Sequence, residues 1–204
     1  MPLDFNTIAN QAFRMAGLPN VDFAAETEQA ELAVSVTERT IKSCLSRQEW
    51  NWAMKTHRLD RDDTQDYRGG YRYAFNLPGG RLSQQLRVMT NPRDLDSLVR
   101  DFGQEGRFLF CDEPDVYARF MVMLDPDLWP AVFLDAVVTL LASRFALAAA
   151  QQIPLAQELE RVAIGTARDD GLGGLLGQAA KLDGAAGANR QPMFIQDQFN
   201  LVRP

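Results

Sequence analysis

The stretch PAVFLDAVVTLLASRFALAAA, residues 130–150, decides the fold. Its apolar side chains recur at helical spacing and continue around almost the whole circumference of the predicted helix. Pro130 stands near the first helical position, where proline is favoured, and the start signal begins at Asp127 or Leu128. A helix that is apolar all round has to be covered on every side, so we expect this one at the centre of the core.

Three further segments have helical periodicity. Residues 6–16 form the first, which Gly17 and Pro19 end in the usual order. Residues 24–48 form a longer one, with glutamates in its first turns and basic side chains near its end, as the helix dipole favours. The last segment follows Pro154. Together with residues 130–150 they are enough to close a four-helix bundle.

Between residues 51 and 124 the chain changes to short runs separated by turn residues such as Gly69-Gly70 and Pro78-Gly79-Gly80. Several runs alternate in polarity or carry strand-forming side chains. We expect a small antiparallel sheet of four to six strands, built from the runs at 71–75, 86–89, 107–110 and 116–122.

The predicted fold class is therefore mainly α with a β insertion (α+β). It is a four-helix bundle interrupted by a small antiparallel β-domain and followed by an extended C-terminal tail. Residues 1–49 and 128–170 form the helical bundle, and residues 50–127 form the inserted β-rich domain. Residues 171–204 form a glycine-rich linker and a docking tail, although the glycine-rich part also fits a frayed helix end.

The composition is that of an ordinary globular protein, with 204 residues, 46% hydrophobic and 24% charged. The net charge of -6 and the pI near 4.8 disfavour stable binding of nucleic acid, because counterion release needs lysine and arginine. The chain starts without a basic region followed by an apolar run, and its apolar runs stay short of the ~18 residues of a membrane span. We expect no signal peptide, no membrane contact and folding in a reducing cytoplasm.

Few residues are suited to catalysis or metal binding. Cys44 and Cys111 lie far apart among apolar residues and are expected as buried free thiols, and His57 is expected on a strand surface. We expect no metal site, no cofactor and no enzymatic activity. Carboxylate pairs at 112–115 and 125–127 could serve a carboxylate-based hydrolase, but they adjoin prolines where aspartate is favoured for turns.

The C-terminal segment is the first candidate site. It follows a glycine-rich stretch and carries six large apolar side chains that it cannot bury by itself. We expect this segment to dock on a partner. The candidate docking residues are Met193, Phe194, Ile195, Phe199, Leu201 and Val202.

Three tryptophans are the second candidate site. Trp50 and Trp52 stand where the long helix meets the β-rich insertion, and Trp129 stands where the insertion returns to the bundle. Aromatic side chains can stack on bases, but few basic residues accompany these. We therefore expect them to pack the insertion against the bundle as a hinge.

The order of these motifs resembles that of the tail tubular protein A family of short-tailed phages, the head-to-tail adaptors, also called connectors or gatekeepers. The resemblance spans roughly residues 6–170 and rests on the order and spacing of loose motifs. These motifs lie at residues 8–19, 49–53, 71–79, 86–88, 106–112 and 125–130, followed by the alanine-rich helix.

The resemblance implies a virion protein whose subunits form a dodecameric ring beneath the portal protein. Such a ring joins the DNA-filled capsid to the tail, lines the DNA channel and presents a platform for the next tail or neck protein, a nozzle or a stopper. Double-stranded DNA passes through it without sequence-specific binding, and the family brings no catalytic residues. The same order of elements also fits a stopper or tail-terminator ring of the same neck.

Overall fold

The computed structural model describes residues 3–25, 27–65, 68–82, 86–94, 96–169 and 173–187. Over these residues the chain forms five α-helices and seven β-strands. The helices are α1 (Phe5–Met15), α2 (Glu28–Leu45), α3 (Ala131–Ala148), α4 (Ile153–Ile164) and α5 (Gly174–Gly187). The strands are β1 (Met54–Arg58), β2 (Asp60–Arg61), β3 (Tyr73–Asn76), β4 (Arg87–Met89), β5 (Phe102–Glu105), β6 (Phe108–Cys111) and β7 (Tyr117–Met121).

Helix α3 lies at the centre of the helical core, as the sequence predicts. Residues 136–143 are all buried, which is more than two turns with no side facing solvent. The helix contacts α1, α2, α4 and α5. Phe13 of α1 stacks on Phe145 at 4.1 Å between ring centroids, and the Ser143 hydroxyl donates to the Ala156 carbonyl of α4 at 2.7 Å. By length and composition alone α3 could cross a membrane, but 61% of it is buried inside the fold, as core helices are.

Helices α1 and α2 both begin at side chains that cap them. The Asp4 carboxylate accepts a hydrogen bond from the backbone N–H of Thr7 at 2.7 Å. The Thr27 hydroxyl oxygen accepts one from the backbone N–H of Ala30 at 3.2 Å. Each cap gives a partner to an N–H group that the helix itself leaves free. Helix α2 therefore begins at Glu28, a few residues later than the predicted start at residue 24.

The strands form two antiparallel sheets. One has the order β1-β7-β4 and the other has the order β2-β3-β6-β5. Only Leu59 separates β1 from β2, and its backbone N–H donates to the Val116 carbonyl at 2.9 Å. The chain therefore passes directly from one sheet into the other at this residue. Buried side chains from both sheets form a second hydrophobic cluster: Leu59, Phe75, Leu77, Val88, Leu109, Cys111, Val116, Ala118 and Phe120.

The predicted fold class, a mainly α four-helix bundle with a small β insertion, is wrong. Among the described residues the chain has five helices and two antiparallel sheets, a mixed α+β fold. The fifth helix, α5, occupies part of the stretch predicted as a linker. Its glycines lower helix propensity, but Leu176 and Ala179 are buried in the helical core, and tertiary packing outweighs that cost. The division into domains stays a prediction.

Strands β1, β2 and β5 lie outside the four predicted runs, and β1 shows why such a strand is missed. Its sequence, Met-Lys-Thr-His-Arg, has no apolar alternation, and residues 55–58 are exposed. The strand forms through its backbone, which pairs with β7 in register from Met54 opposite Met121 to Arg58 opposite Tyr117. A strand of this kind leaves no pattern of apolar side chains by which it could be identified.

Helix α5 is fastened to the turn that precedes β1. One Asp183 carboxylate oxygen accepts from the backbone N–H of Asn51 at 2.9 Å and from the Asn51 side-chain amide at 3.2 Å. Asp183 is buried whereas Asn51 is exposed, so both hydrogen bonds are partly shielded from water. We expect Asp183→Ala to lower the free energy of unfolding by about 1–3 kcal/mol, because it leaves the Asn51 N–H without an acceptor. Urea unfolding followed by circular dichroism measures this loss.

Lys181→Ala is the matched control, since Lys181 is an exposed residue on the same helix. It should change stability by no more than about 0.5 kcal/mol. If Asp183→Ala were as stable as the control, the Asn51 contact would not hold α5 in place.

Candidate interaction surfaces

The three predicted tryptophans lie together around a fourth aromatic residue, Phe133, in the first turns of α3. Trp50 and Trp52 meet the Phe133 ring edge-on, with centroid distances of 4.8 and 4.9 Å. Trp129 meets the same ring edge-on at 5.4 Å. Edge-on contacts at these distances are favourable beyond the burial of the rings themselves. The sequence placed Phe133 on the core helix but did not show that it joins the tryptophans.

The indole N–H groups fasten two of the tryptophans to neighbouring backbone. Trp50 donates to the Cys44 carbonyl near the end of α2 at 3.3 Å. Trp129 donates to the Leu124 carbonyl in the segment before α3 at 3.0 Å. The Trp52 indole nitrogen is buried and has no hydrogen-bond partner among the described residues. The cluster thus ties the end of α2 and the approach to α3 to one ring, while its role as a hinge stays a prediction.

A groove with a volume of about 230 Å³ opens between α1 and α2. Its floor consists of Ala9, Thr37 and Ile41, each no more than 3% exposed. Its rim includes Phe5 and Val34, which are 38% and 46% exposed. We call it the α1–α2 groove; its remaining lining residues are Asn6, Phe23, Glu38 and Met123.

The polar side chains that line the α1–α2 groove are Asn6, Thr37 and Glu38. The Thr37 hydroxyl on the floor is already used, because it donates to the Ala33 carbonyl at 2.7 Å. Glu38 forms an ion pair with Lys42 at 3.1 Å, and both side chains are more than half exposed. The floor is therefore mainly apolar, and the proton of the Thr37 hydroxyl is not available to a ligand. The sequence did not predict this groove, since it depends on how α1 and α2 pack.

Three of the five carboxylates considered for hydrolysis have hydrogen-bond or ion-pair partners elsewhere in the fold. Asp112 accepts from the backbone N–H of Arg72 at 2.9 Å, Asp115 pairs with Arg58, and Asp127 accepts from the backbone N–H of Leu3 at 2.6 Å. Over the ranges given above, no group of three His, Cys, Asp or Glu residues is placed to hold a metal ion.

Hydrogen bonds also favour the charged form of carboxyl groups elsewhere in the chain. The Thr64 hydroxyl and backbone N–H lower the pKa of Asp62, which directly follows β2. The Thr166 backbone N–H and hydroxyl lower the pKa of Asp169. A general acid needs a raised pKa, so neither group is suited to that role.

The six apolar residues of the predicted docking tail, Met193, Phe194, Ile195, Phe199, Leu201 and Val202, lie outside the described residues. Helix α5 ends at Gly187, six residues before the first of them.

Both cysteines are buried free thiols, as predicted. Burial raises the pKa of Cys44 to about 12, and the positive charges of Arg47 and Arg144 only partly oppose this. Burial also raises the pKa of Cys111. A thiol that stays protonated is a poor nucleophile and a poor metal ligand.

The raised pKa of Cys44 gives the stability a specific pH dependence. In the unfolded chain the thiol ionises near its ordinary pKa of 9.0, whereas in the folded protein it remains protonated up to about pH 12. The stabilising contribution is therefore complete below about pH 9 and is lost as the pH rises towards 12, by at most about 1.4 kcal/mol per pH unit.

We expect Cys44→Ala to reduce this alkaline decline, whatever its effect on stability at neutral pH. Urea unfolding measured between about pH 8 and pH 10.5 gives the slope for each variant. Ser43→Ala, the neighbouring residue on α2, introduces no change in ionisable groups and should keep the wild-type slope. Equal slopes for Cys44→Ala and Ser43→Ala would show that the Cys44 thiol does not cause the decline.

No protein-family model matches the sequence, and no curated protein matches it either. A functional proposal for this chain has to rest on its own motifs and surfaces.

Proposed function

We propose that this protein is a head-to-tail adaptor, or connector, of a bacteriophage. It is a non-enzymatic virion subunit that forms a dodecameric ring beneath the portal protein and joins the DNA-filled capsid to the tail. The observation that carries the proposal is the order and spacing of the motifs from residues 8–19 to residues 125–130, followed by the apolar helix. That order resembles the tail tubular protein A family.

The placement of one motif adds support. Residues 49–53 lie between the end of α2 and the start of β1, and they bury Trp50 against Phe133 of α3. The helical core and the sheets are thus joined at a packed aromatic cluster. Such a junction suits a ring subunit that must hold its helical and β parts in a fixed relation while each part meets a different neighbour.

The charge of the chain suits a channel through which DNA moves. A ring of acidic subunits lacks the excess of lysine and arginine that would bind the phosphate backbone tightly. Double-stranded DNA then passes transiently and without sequence-specific binding. The lasting partners are other copies of the chain, the portal protein and the next tail or neck protein, and no membrane is involved. The ring is assembled in the cytoplasm of the bacterial host and remains in the neck of the virion.

Copy number distinguishes this proposal from the related one. A stopper or tail-terminator ring of the same neck would contain six copies, by analogy with other phage necks, whereas an adaptor matches the twelve subunits of the portal. An electron-microscopy reconstruction of the particle, with the symmetry of each ring determined separately, decides between the two.

Deleting residues 188–204 tests the role of the apolar tail. We expect the fold to survive and ring assembly on the cognate portal to weaken by at least about tenfold, since burial of even one large apolar side chain is worth about 1.5–3 kcal/mol. Circular dichroism with thermal unfolding checks the fold, and mass photometry of portal mixtures measures assembly.

The control keeps the length and the apolar residues of the tail. Gln191→Ser, Gln196→Ser and Gln198→Ser together should assemble as the wild type does. Loss of cooperative unfolding on deletion would show instead that the tail belongs to the core. A full-length protein that remained monomeric with its portal would contradict the adaptor proposal.

A further inference from the structure

The α1–α2 groove is a concave, mainly apolar surface suited to the side chains of a partner. The two rim side chains, Phe5 and Val34, are exposed, whereas the floor of the groove is almost completely buried. Single exposed apolar residues are common on protein surfaces, but here they line one concave space. Drug-sized ligands occupy pockets of about 300–1,000 Å³, so a groove of about 230 Å³ suits the side chains of a peptide better than a cofactor.

The chain itself contains a segment with the matching chemistry. Residues 193–202 hold six large apolar side chains in ten positions. They begin six residues beyond the end of α5 at Gly187. An extended chain covers at most about 3.3–3.6 Å per residue, so Met193 can lie ~20 Å from Gly187 and Val202 ~50 Å from it. That reach is enough to cross a contact between two subunits.

Charge at the two ends of the segment also fits the groove. Arg190 and Arg203 flank the apolar residues, and the carboxylate of Glu38 lies at the edge of the groove. The existing partner of Glu38, Lys42, holds it in an exposed ion pair, which is worth little and is easily exchanged. An arginine beside the apolar residues can therefore replace Lys42 as the ion-pair partner of Glu38 with little loss of free energy.

We propose that the α1–α2 groove binds residues 193–202 of a neighbouring copy of this chain. Donor segment and acceptor groove are different surfaces of one subunit, so the contact is heterologous and repeats from copy to copy. A repeated heterologous contact closes into a ring when its rotation permits, which is the assembly that the adaptor requires. The choice of a neighbouring copy as the donor rests on the function proposed above.

Photo-cross-linking tests where the segment docks. Phe199 is replaced by p-benzoylphenylalanine in the full-length protein, and equal amounts of unlabelled and ¹⁵N-labelled protein are mixed, both alone at high concentration and with the portal. Mass spectrometry then identifies each cross-linked peptide and its isotope. We expect cross-links to α1 and α2 peptides, around Phe5 or Val34, that join labelled to unlabelled copies.

Two substitutions on α2 provide a second measurement. Val34→Asp places a charge at the rim of the groove and should weaken association between copies by at least about tenfold. Leu32→Asp is the matched control, because Leu32 is 49% exposed on the same helix and does not line the groove. It should change association less than about twofold.

Three outcomes would overturn the inference. The first is that every cross-link joins two peptides of the same isotope, which would mean that the segment folds onto its own chain. The others are cross-links only to the portal, and equal effects of Val34→Asp and Leu32→Asp on association between copies. The adaptor proposal is tested separately, by whether the protein binds its portal as a ring. A protein that binds its portal as a ring without groove cross-links keeps the adaptor function and loses this inference. Groove cross-links between copies that do not bind a portal would support this inference and contradict the adaptor function.

Discussion

The burial of α3 is the constraint on which the rest of the helical core depends. Residues 136–143 leave no side of the helix free for water, so every side needs a neighbour. Helices α1, α2, α4 and α5 supply most of that cover, and the tryptophans around Phe133 cover its first turns. Exposing such a helix would cost roughly 25 cal/mol for each Å² of apolar surface. Covering this surface stabilises even α5, whose glycines have poor helix propensity.

This constraint explains which parts of the fold could be predicted. The apolar circumference of residues 130–150 is visible in the sequence and predicts a central helix without any knowledge of its neighbours. The same reasoning implies that the three other predicted helices must cover a large apolar area, but it does not show which further segment contributes to that cover. Helix α5 was missed because the glycines at 174, 177 and 184 have poor helix propensity, whereas its formation depends on Leu176 and Ala179 reaching α3 and α4.

Strand β1 was missed for a different reason. Its pairing with β7 uses backbone groups, and these are the same for every sequence. The four residues after Met54 are exposed, so the strand has no pattern of apolar side chains. Among them, His57 stacks on Phe120 with ring centroids 5.5 Å apart. The tryptophans were identifiable because their size makes burial probable wherever a core exists, but the contacts of Trp50 and Trp52 with Phe133 span more than 80 positions of sequence. The α1–α2 groove is a gap between helices and has no sequence pattern at all.

The small size of the α1–α2 groove bears on how a ring of this protein would assemble. Tail docking in such a groove buries only a few side chains, so the cost of immobilising two subunits and a long segment consumes most of the gain. A single contact of this kind is weak, and free subunits in solution remain mostly unassembled. If the protein is an adaptor, its portal would hold each subunit beside its neighbour and would raise the effective concentration of the tail near the next groove to the millimolar range. Weak contacts that become effective only on the template prevent rings from closing in the wrong place, so low affinity is what an adaptor of this design requires.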